Sequence, residues 1–263
     1  MTRRPDGAFC GIAVMAKASY PGRAKTRLCP PLTFEEAAAF NTAFLKDAAD
    51  NLIAASQEAS IAGSMAYGPP GAEAFFRAHM PAAIALHEVW YPDFGECLME
   101  ALKLQFAAGH GAACVLNSDS PTLPAGLLIE TAQVLAEPGD CAVLGPSADG
   151  GYYLLALKTM HARLFQNIAW STNAVTAQTL DRAAEIGLAV HVLPEWYDVD
   201  DCDSVRLLIG ELFDGRRFSP ALRSSPARHS LALLQPMLSN SNLMERLEAR
   251  ALSEARKLEE AAA

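Results

Sequence analysis

Four cationic side chains lie close together in the loop that follows the first predicted strand. The segment 17–27 contains Lys17, Arg23, Lys25 and Arg27, and it turns at Gly22. Lysine and arginine can neutralise phosphate oxygens, and a glycine lets a ligand approach the backbone closely. An exposed loop that only adds solubility is the alternative, but such a concentration of positive charge in an acidic chain favours anion binding. The spacing is not that of a Walker phosphate loop.

Two aspartates at the ends of distant predicted strands could share a metal ion. Asp119 follows the apolar run 112–117, and Asp200 follows the last predicted strand. Two converging carboxylates, completed by water and ligand oxygens, are the usual protein contribution to a Mg²⁺ (or Mn²⁺) phosphate site. The alternatives are turn formation at Asp119 and helix capping by Asp201 and Asp203.

A glycine-rich turn and two later segments supply weaker candidates. In the segment 145–153, Gly150 and Gly151 permit close approach of a ligand, and Asp149 could accept hydrogen bonds from its hydroxyls. The tripeptide Asp-Gly-Gly is also common in the turns of β-hairpins. Trp170 and Ser171 are further substrate-side candidates, although a tryptophan is more often a core or rim residue. Thr172 fits a helix N-cap, and no serine or cysteine context suggests a nucleophile.

The elements that must position these residues form an α/β pattern. The chain has 263 residues, of which 51% are hydrophobic and 19% charged, so it can build one large α/β domain or two modest ones. This composition excludes disordered, collagen-like and disulfide-scaffold proteins. Continuous apolar strands, the first at 9–16, alternate with helical periodicity. The alternation predicts a mostly parallel sheet covered by helices on both faces.

Local signals fix the first helix and leave the C-terminal segment open. Thr33 and Glu36 form a predicted capping box, and Phe40 and Phe44 begin an apolar helix face. The segment 216–228 is rich in arginine, serine and proline and is predicted to be a linker. The helix predicted at 243–258 could dock on its own domain or form a homodimer with a second copy.

Charge and cysteine usage narrow the classes of partner. The net charge of −9 argues against a nucleic-acid partner. The six cysteines stand singly, with no zinc spacing, which is typical of a reducing cytoplasm. The apolar run 9–17 is too short for a signal sequence or a membrane span, so we expect a cytoplasmic location without a membrane span.

Taken in order, these motifs resemble a bacterial family of small GT-A-like glycosyltransferases in the nucleotide-diphospho-sugar transferase superfamily. The matching segments are IAVMAKA (12–18), PGRAKTRL (21–28), SDSP (118–121), GPSADGGYY (145–153), WST (170–172) and DVD (198–200). More distantly, the chain is similar to the molybdenum-cofactor and phospholactate guanylyltransferases. The resemblance implies a single GT-A (Rossmann-like) domain over 9–215, followed by a linker and C-terminal helix over 216–263.

The resemblance also implies roles for the candidate residues. The loop with Lys17, Gly22, Arg23, Lys25 and Arg27 would bind the nucleotide and its phosphates. Asp119 and Asp200 would bind the metal. Asp149, Gly150 and Gly151 would line the sugar or acceptor side, and Trp170 and Ser171 are further substrate-side candidates. Apart from the resemblance, Asp149 and Asp198 are the candidate catalytic bases.

Three functions stay open on these residues. The leading hypothesis is metal-assisted glycosyl transfer from a nucleotide-diphosphate sugar, with the metal and cations stabilising the leaving diphosphate. The same groups could serve a nucleotidyltransferase that releases pyrophosphate from a nucleoside triphosphate. A non-catalytic nucleotide-binding protein is the third possibility. On the first two, we expect Lys25→Ala to weaken nucleotide binding with little loss of stability, as for an exposed loop charge.

Overall fold

The computed structural model describes residues 10–240 and 242–262, with side chains as far as 253. Its strands are β1 Cys10–Lys17, β2 Ile61–Gly68, β3 Ala85–Glu88, β4 Ala112–Leu116, β5 Cys141–Pro146, β6 Tyr152–Leu157 and β7 Ala189–Val192. Its helices are α1 Phe34–Glu58, α2 Glu73–His79, α3 Phe94–Ala107, α4 Ala125–Ala136, α5 Val175–Glu185, α6 Cys202–Phe213, α7 Arg228–Asn240 and α8 Leu243–Ala262. The predicted start of the first strand at Phe9 lies outside the described residues.

The strands form one sheet in the order β3-β2-β1-β4-β6-β5-β7. β6 is antiparallel to both β4 and β5, and every other pairing of the ladder is parallel. The prediction of a mostly parallel α/β sheet is therefore confirmed. Lys17 pairs with Gly68, and Leu116 pairs with Val14 and Leu154. The ends of β1, β2 and β4 and the start of β6 therefore lie at the same edge of the sheet.

Two apolar layers cover the sheet. The larger packs α1, α4 and α6, together with α7 and the first turns of α8, on one face. The smaller packs α3 and α5 on the other. Continuous burial along β4, from Ala112 to Leu116, shows why this strand has no polar alternation.

Side chains cap the starts of α1, α3 and α6, whereas α2, α4 and α5 begin without a side-chain cap. The predicted capping box of α1 is present, since the Glu36 amide donates to Thr33 Oγ1 and the Thr33 amide donates to Glu36 Oε2. The prediction of an N-cap at Thr172 is wrong, because α5 begins at Val175 and the Thr172 hydroxyl instead donates to the Ala169 carbonyl.

The C-terminal segment docks on the domain through polar contacts. Asp47 of α1 accepts hydrogen bonds from the backbone amides of His229 and Ser230, 2.8 and 2.9 Å away, and from the Ser230 hydroxyl. Arg246 of α8 makes a two-pronged contact with Glu36, 2.8 Å for each pair, and donates to the Pro31 carbonyl. The sequence pattern predicted α8 but not α7.

A helix that crosses a membrane must be both long and apolar. None of the helices of the described segments combines these two properties.

Candidate functional site

A cavity of about 520 Å³ opens at the edge of the sheet where β1, β2 and β4 end. One end of it is charged and is lined by Lys17, Arg23, Lys25, Arg27, Asp119 and Asp200. The other end is apolar and includes Val89, Trp90, Phe94, Cys97 and Leu98. The fold thus brings the four cationic residues and both aspartates of the sequence motifs to one cavity, as their positions at strand ends require.

Lys25 is the centre of the charged end. Its ammonium lies 2.8 Å from Asp119 Oδ1, 2.7 Å from Asp200 Oδ1 and 2.7 Å from the carbonyl oxygen of Val199. The three N–H groups of the ammonium therefore have three oxygen acceptors. The same nitrogen lies 5.3 Å from the centre of the Phe44 ring, within the range of a cation–π contact.

Lys25 is fixed in this position by its backbone and by burial. The residue adopts the left-handed conformation with φ 51° and ψ 35°, which turns its side chain inward. Only 5% of the side chain is exposed. The expectation that Lys25 is an exposed loop charge is therefore wrong. The left-handed backbone conformation that accompanies its burial is not predictable from the sequence.

Burial and charge act in opposite directions on Lys25. Desolvation lowers its pKa, but the attraction of Asp119 and Asp200 and the hydrogen bonds to them outweigh it, so the pKa stands above its usual range. Lys25 is consequently an ammonium at neutral pH.

The other basic residues face solvent. Lys17 and Arg23 are exposed, and the Arg27 side chain is 73% exposed with its guanidinium 4.0 Å from Asp200 Oδ2. Gly22 takes φ 71° at the exposed tip of the loop. These side chains are accessible to an anionic ligand without breaking a buried contact.

Backbone and amide contacts hold the loops around the cavity. The Val199 amide donates to the Asp119 carbonyl at 2.8 Å, which joins the two aspartate-bearing loops. Asn41 of α1 is buried and donates to the Lys17 carbonyl and to Ser19 Oγ, each at 2.8 Å. This role of Asn41 in holding the loop was not predicted, although an asparagine on the apolar face of a predicted helix is a signal for a buried hydrogen-bonding residue.

Asp198 and Asp149 lie beside the cavity and are not part of its lining. Asp198 accepts a hydrogen bond from Ser147 Oγ at 2.7 Å, whereas the exposed Asp149 accepts from the Gly151 amide within its own turn. Burial raises the pKa of Asp198 to about 6; the Ser147 hydrogen bond opposes this rise, and the carboxylates of Asp149, Asp200 and Asp119 add to it.

The glycine-rich turn packs against the start of α5. Gly150 has φ 90°, and a Cβ at this position would lie 2.2 Å from the carbonyl oxygen of Asn173. This close approach explains the glycine without a ligand. Trp170 packs edge-on against Phe94, with ring centres 5.5 Å apart, and Ser171 takes φ 63°. Gly150, Gly151, Trp170 and Ser171 do not line the cavity itself.

The aromatic end of the cavity was not predicted. A Cβ at Gly68 would lie 2.0 Å from a ring carbon of Trp90, so the indole rests directly on the Gly68 backbone. Half of Trp90 and half of Phe94 remain exposed. Large aromatic residues clustered between a strand and a helix, as at 90–94, are the sequence signal that could have revealed this surface.

Two buried polar atoms, each on a residue of the cavity wall, have no hydrogen-bond partner in the part of the chain that the structure describes. They are Oδ1 of Asn117, which follows β4, and the hydroxyl of Tyr152, which begins β6. Burial raises the pKa of Tyr152 far above its usual range, so the hydroxyl keeps its proton. Neither atom is accessible to solvent, so an acceptor and a donor lie unpaired within the wall of the cavity.

The oxygens around Lys25 decide whether this part of the cavity can hold a metal ion. Among the residues that the structure describes, no three His, Cys, Asp or Glu side chains are grouped to hold a metal ion. The oxygens that do converge, two carboxylate and one backbone carbonyl, are of the type that Mg²⁺ and Mn²⁺ prefer. The donor set therefore fits a hard divalent ion that completes its shell with ligand or water oxygens.

Comparison with known proteins finds a family model that matches part of the chain and solved structures with similar folds. Residues 51–172 match the family described as "Uncharacterized protein conserved in bacteria (DUF2064)". A crystal structure of a "putative nucleotide-diphospho-sugar transferase" from Desulfovibrio desulfuricans G20 is 25% identical, with a TM-score of 0.74 over 88% of this chain and 96% of that chain. The resemblance inferred from the motifs, to a bacterial family of this superfamily, is confirmed at this level.

Two further solved structures are less similar to this chain. A cytidylyltransferase from Leptospira borgpetersenii is 11% identical, with a TM-score of 0.49 over 89% of this chain and 95% of that chain. A CMP:2-keto-3-deoxy-manno-octonic acid synthetase complexed with CTP is 14% identical, with a TM-score of 0.48 over 78% and 99%. Likeness this loose does not extend to function. No curated protein matches the chain.

Proposed function

We propose that this protein is a nucleotide-dependent transferase that transfers a glycosyl group from a nucleotide-diphosphate sugar. The observation that carries the proposal is one cavity whose lining combines exposed cationic side chains with two carboxylates. Both carboxylates, of Asp119 and Asp200, contact the ammonium of Lys25. The likeness to the Desulfovibrio structure supports the same reaction class.

The exposed cations supply the diphosphate subsite. Lys17, Arg23 and Arg27 line the cavity and are accessible from solvent. As the bond to the sugar breaks, negative charge grows on the departing diphosphate. Positive side chains beside the diphosphate would stabilise that charge.

Mg²⁺ or Mn²⁺ would be held by Asp119 and Asp200, with the Val199 carbonyl as a third oxygen. When bound, such an ion would add positive charge beside the diphosphate and orient it. The protein's share is to keep the two carboxylates converged, which the hydrogen bond from the Val199 amide to the Asp119 carbonyl does.

The acceptor is proposed to approach from the side of Asp198 and Asp149. Asp198 is the better candidate for the catalytic base, because it is half-buried and held by Ser147, whereas Oδ1 of Asp149 is engaged in its own turn. Gly150, Gly151, Trp170 and Ser171 are proposed to border this side of the substrate.

The nucleobase is proposed to occupy the aromatic end of the cavity. With the phosphates at the basic loop, a nucleotide can extend toward Trp90, whose indole is already seated on Gly68. Stacking on an aromatic face is available to every base.

Product analysis tests the proposed reaction. The purified protein is screened by thermal shift against nucleoside diphosphates, nucleoside triphosphates and nucleotide sugars with Mg²⁺, because a ligand that binds the folded form stabilises it. Stabilising donors are then incubated with acceptor mixtures. Release of a nucleoside diphosphate from a sugar donor supports glycosyl transfer, and Asp119→Asn is expected to abolish it.

Other products would overturn the proposal. Pyrophosphate released from a nucleoside triphosphate would assign nucleotidyl transfer instead. Binding without turnover of any donor, with the Asp119→Asn variant indistinguishable from the wild type, would point to a non-catalytic nucleotide-binding protein.

A further inference from the structure

Lys25 occupies the point at which the proposed metal-binding oxygens converge. Asp119 Oδ1, Asp200 Oδ1 and the Val199 carbonyl oxygen all lie 2.7–2.8 Å from its nitrogen. A divalent ion bound by the same three oxygens would need that point, since metal–oxygen distances are about 2.0–2.6 Å. One position cannot hold both cations.

We propose that Lys25 and the divalent ion exclude one another, so that the metal enters only when the Lys25 side chain leaves. The inference rests on the proposed function, because it concerns the same pair of carboxylates. It assigns Lys25 a role that differs from direct phosphate binding: in the ligand-free protein the ammonium is the cation of the site.

Lys25 cannot leave without giving up its present contacts. All three of its N–H groups have oxygen acceptors at hydrogen-bond distance. The ammonium must therefore exchange these oxygens for other anionic oxygens. Phosphate oxygens beside Arg27 and Arg23 would supply them, which couples metal entry to the arrival of a phosphate-bearing ligand.

The charge balance of the cluster supports exclusion. Two carboxylates around one ammonium carry a net charge of −1, whereas without Lys25 they carry −2 and attract a divalent ion more strongly. Asp119 and Asp200 are 30% and 36% exposed, so removal of the lysine opens a site that hydrated ions can reach from the cavity.

The experiment measures Mn²⁺ binding to ligand-free protein by electron paramagnetic resonance of the free ion. The variants are Lys25→Met, which removes the charge at similar length, and Lys17→Met, the matched control. Lys17 lines the same cavity and is exposed, so its loss changes the charge of the cavity equally without vacating the oxygen cluster. We expect Lys25→Met to bind Mn²⁺ at least about tenfold more tightly than the wild type and Lys17→Met to differ by less than about threefold.

Two further measurements keep the test decisive. Addition of Asp200→Asn to Lys25→Met should remove the gain, which places the ion at the carboxylates. Mn²⁺ should also raise the melting temperature of Lys25→Met more than that of the wild type. If the methionine variant does not fold, Lys25→Gln, whose amide can still donate to one carboxylate, replaces it.

The outcomes separate this inference from the proposed function. Equal Mn²⁺ affinity of wild type and Lys25→Met, or an equal gain in Lys17→Met, would overturn the exclusion even if nucleotides bind in the thermal-shift screen. Failure of every variant to bind Mn²⁺, together with failure of the wild type to bind any nucleotide, would refute both.

Discussion

The aromatic end of the cavity makes a quantitative prediction about ligand affinity. If a nucleobase stacks on Trp90, the Trp90→Ala variant loses that contact and keeps the phosphate contacts of the basic loop. Base–aromatic stacking contributes about 1–3 kcal/mol per base, which corresponds to a factor of roughly 5 to 150 in affinity. One side of the indole already rests on Gly68 and half of the residue is exposed. One face is thus available to a base, and we expect a loss of roughly tenfold.

The assay is isothermal titration of the uridine, cytidine, guanosine and adenosine diphosphates, and of inorganic pyrophosphate, in the presence of Mg²⁺. Pyrophosphate reports the phosphate subsite alone. We expect the preferred diphosphate to bind the wild type more tightly than pyrophosphate does, and Trp90→Ala to remove most of that difference. Trp90→Phe should restore part of it, because a smaller ring still stacks.

Tyr91→Ala is the matched control. Tyr91 is the neighbouring aromatic residue, 43% exposed, and it does not line the cavity. Its replacement should leave both affinities unchanged. Equal binding of pyrophosphate and every diphosphate by the wild type, or an equal loss in Tyr91→Ala, would refute the stacking argument.

Three further changes test how the fold holds the site. Lys25→Ala should lower the free energy of unfolding in urea by about 1–3 kcal/mol, which is less than for a fully buried ion pair because both aspartates are about one-third exposed. The control Arg23→Ala, at an exposed residue, should change it by no more than about 0.5 kcal/mol. Equal losses in the two variants would contradict the buried cluster. Gly150→Ala should lower stability at least about 1 kcal/mol more than Gly139→Ala, because both glycines have positive φ but only at Gly150 would a Cβ meet backbone, and similar melting temperatures would contradict this. Burial raises the pKa of Asp47, despite hydrogen bonds from Ser230 and the amide of His229 and the charge of His229, so the folded state holds this proton more tightly than the unfolded chain. The stability that Asp47 contributes is then greatest below its pKa in the unfolded chain and falls as the pH rises through its pKa in the folded protein. In urea unfolding between about pH 4 and pH 7, the stability of Asp47→Asn relative to the wild type should therefore increase with pH. A difference that does not depend on pH would contradict this.

The sequence predicts well what local patterns and strand ends determine. Uninterrupted apolar runs such as β4 indicate strands buried on both faces, and the capping box at Thr33 marks the start of α1 within one residue. Because parallel strands end at the same edge, the positions of Asp119 and Asp200 after their strands were enough to predict that they converge.

The rest depended on geometry that residue types do not encode. The burial of Lys25 follows from one left-handed backbone residue and from acceptors more than 90 positions away, so its sequence neighbours gave no sign of it. The aromatic surface depends on the contact of Trp90 with Gly68, two residues far apart in the chain. Helix α7 contains Pro236, a residue that usually interrupts a helical pattern, and its docking on Asp47 is a tertiary contact.

The contacts of Arg246 with Glu36 and the Pro31 carbonyl connect α8 to the segment 31–36, which follows the basic loop 17–27. Segments held by such distant contacts can open as a unit while the central sheet stays folded. Backbone amides of the first turns of α8 and of the segment 31–36 should then exchange with deuterium at linked rates, faster than those of β1 and β4. A local opening at the C-terminal end would loosen ligand capture at the opposite end of the chain without any melting of the core.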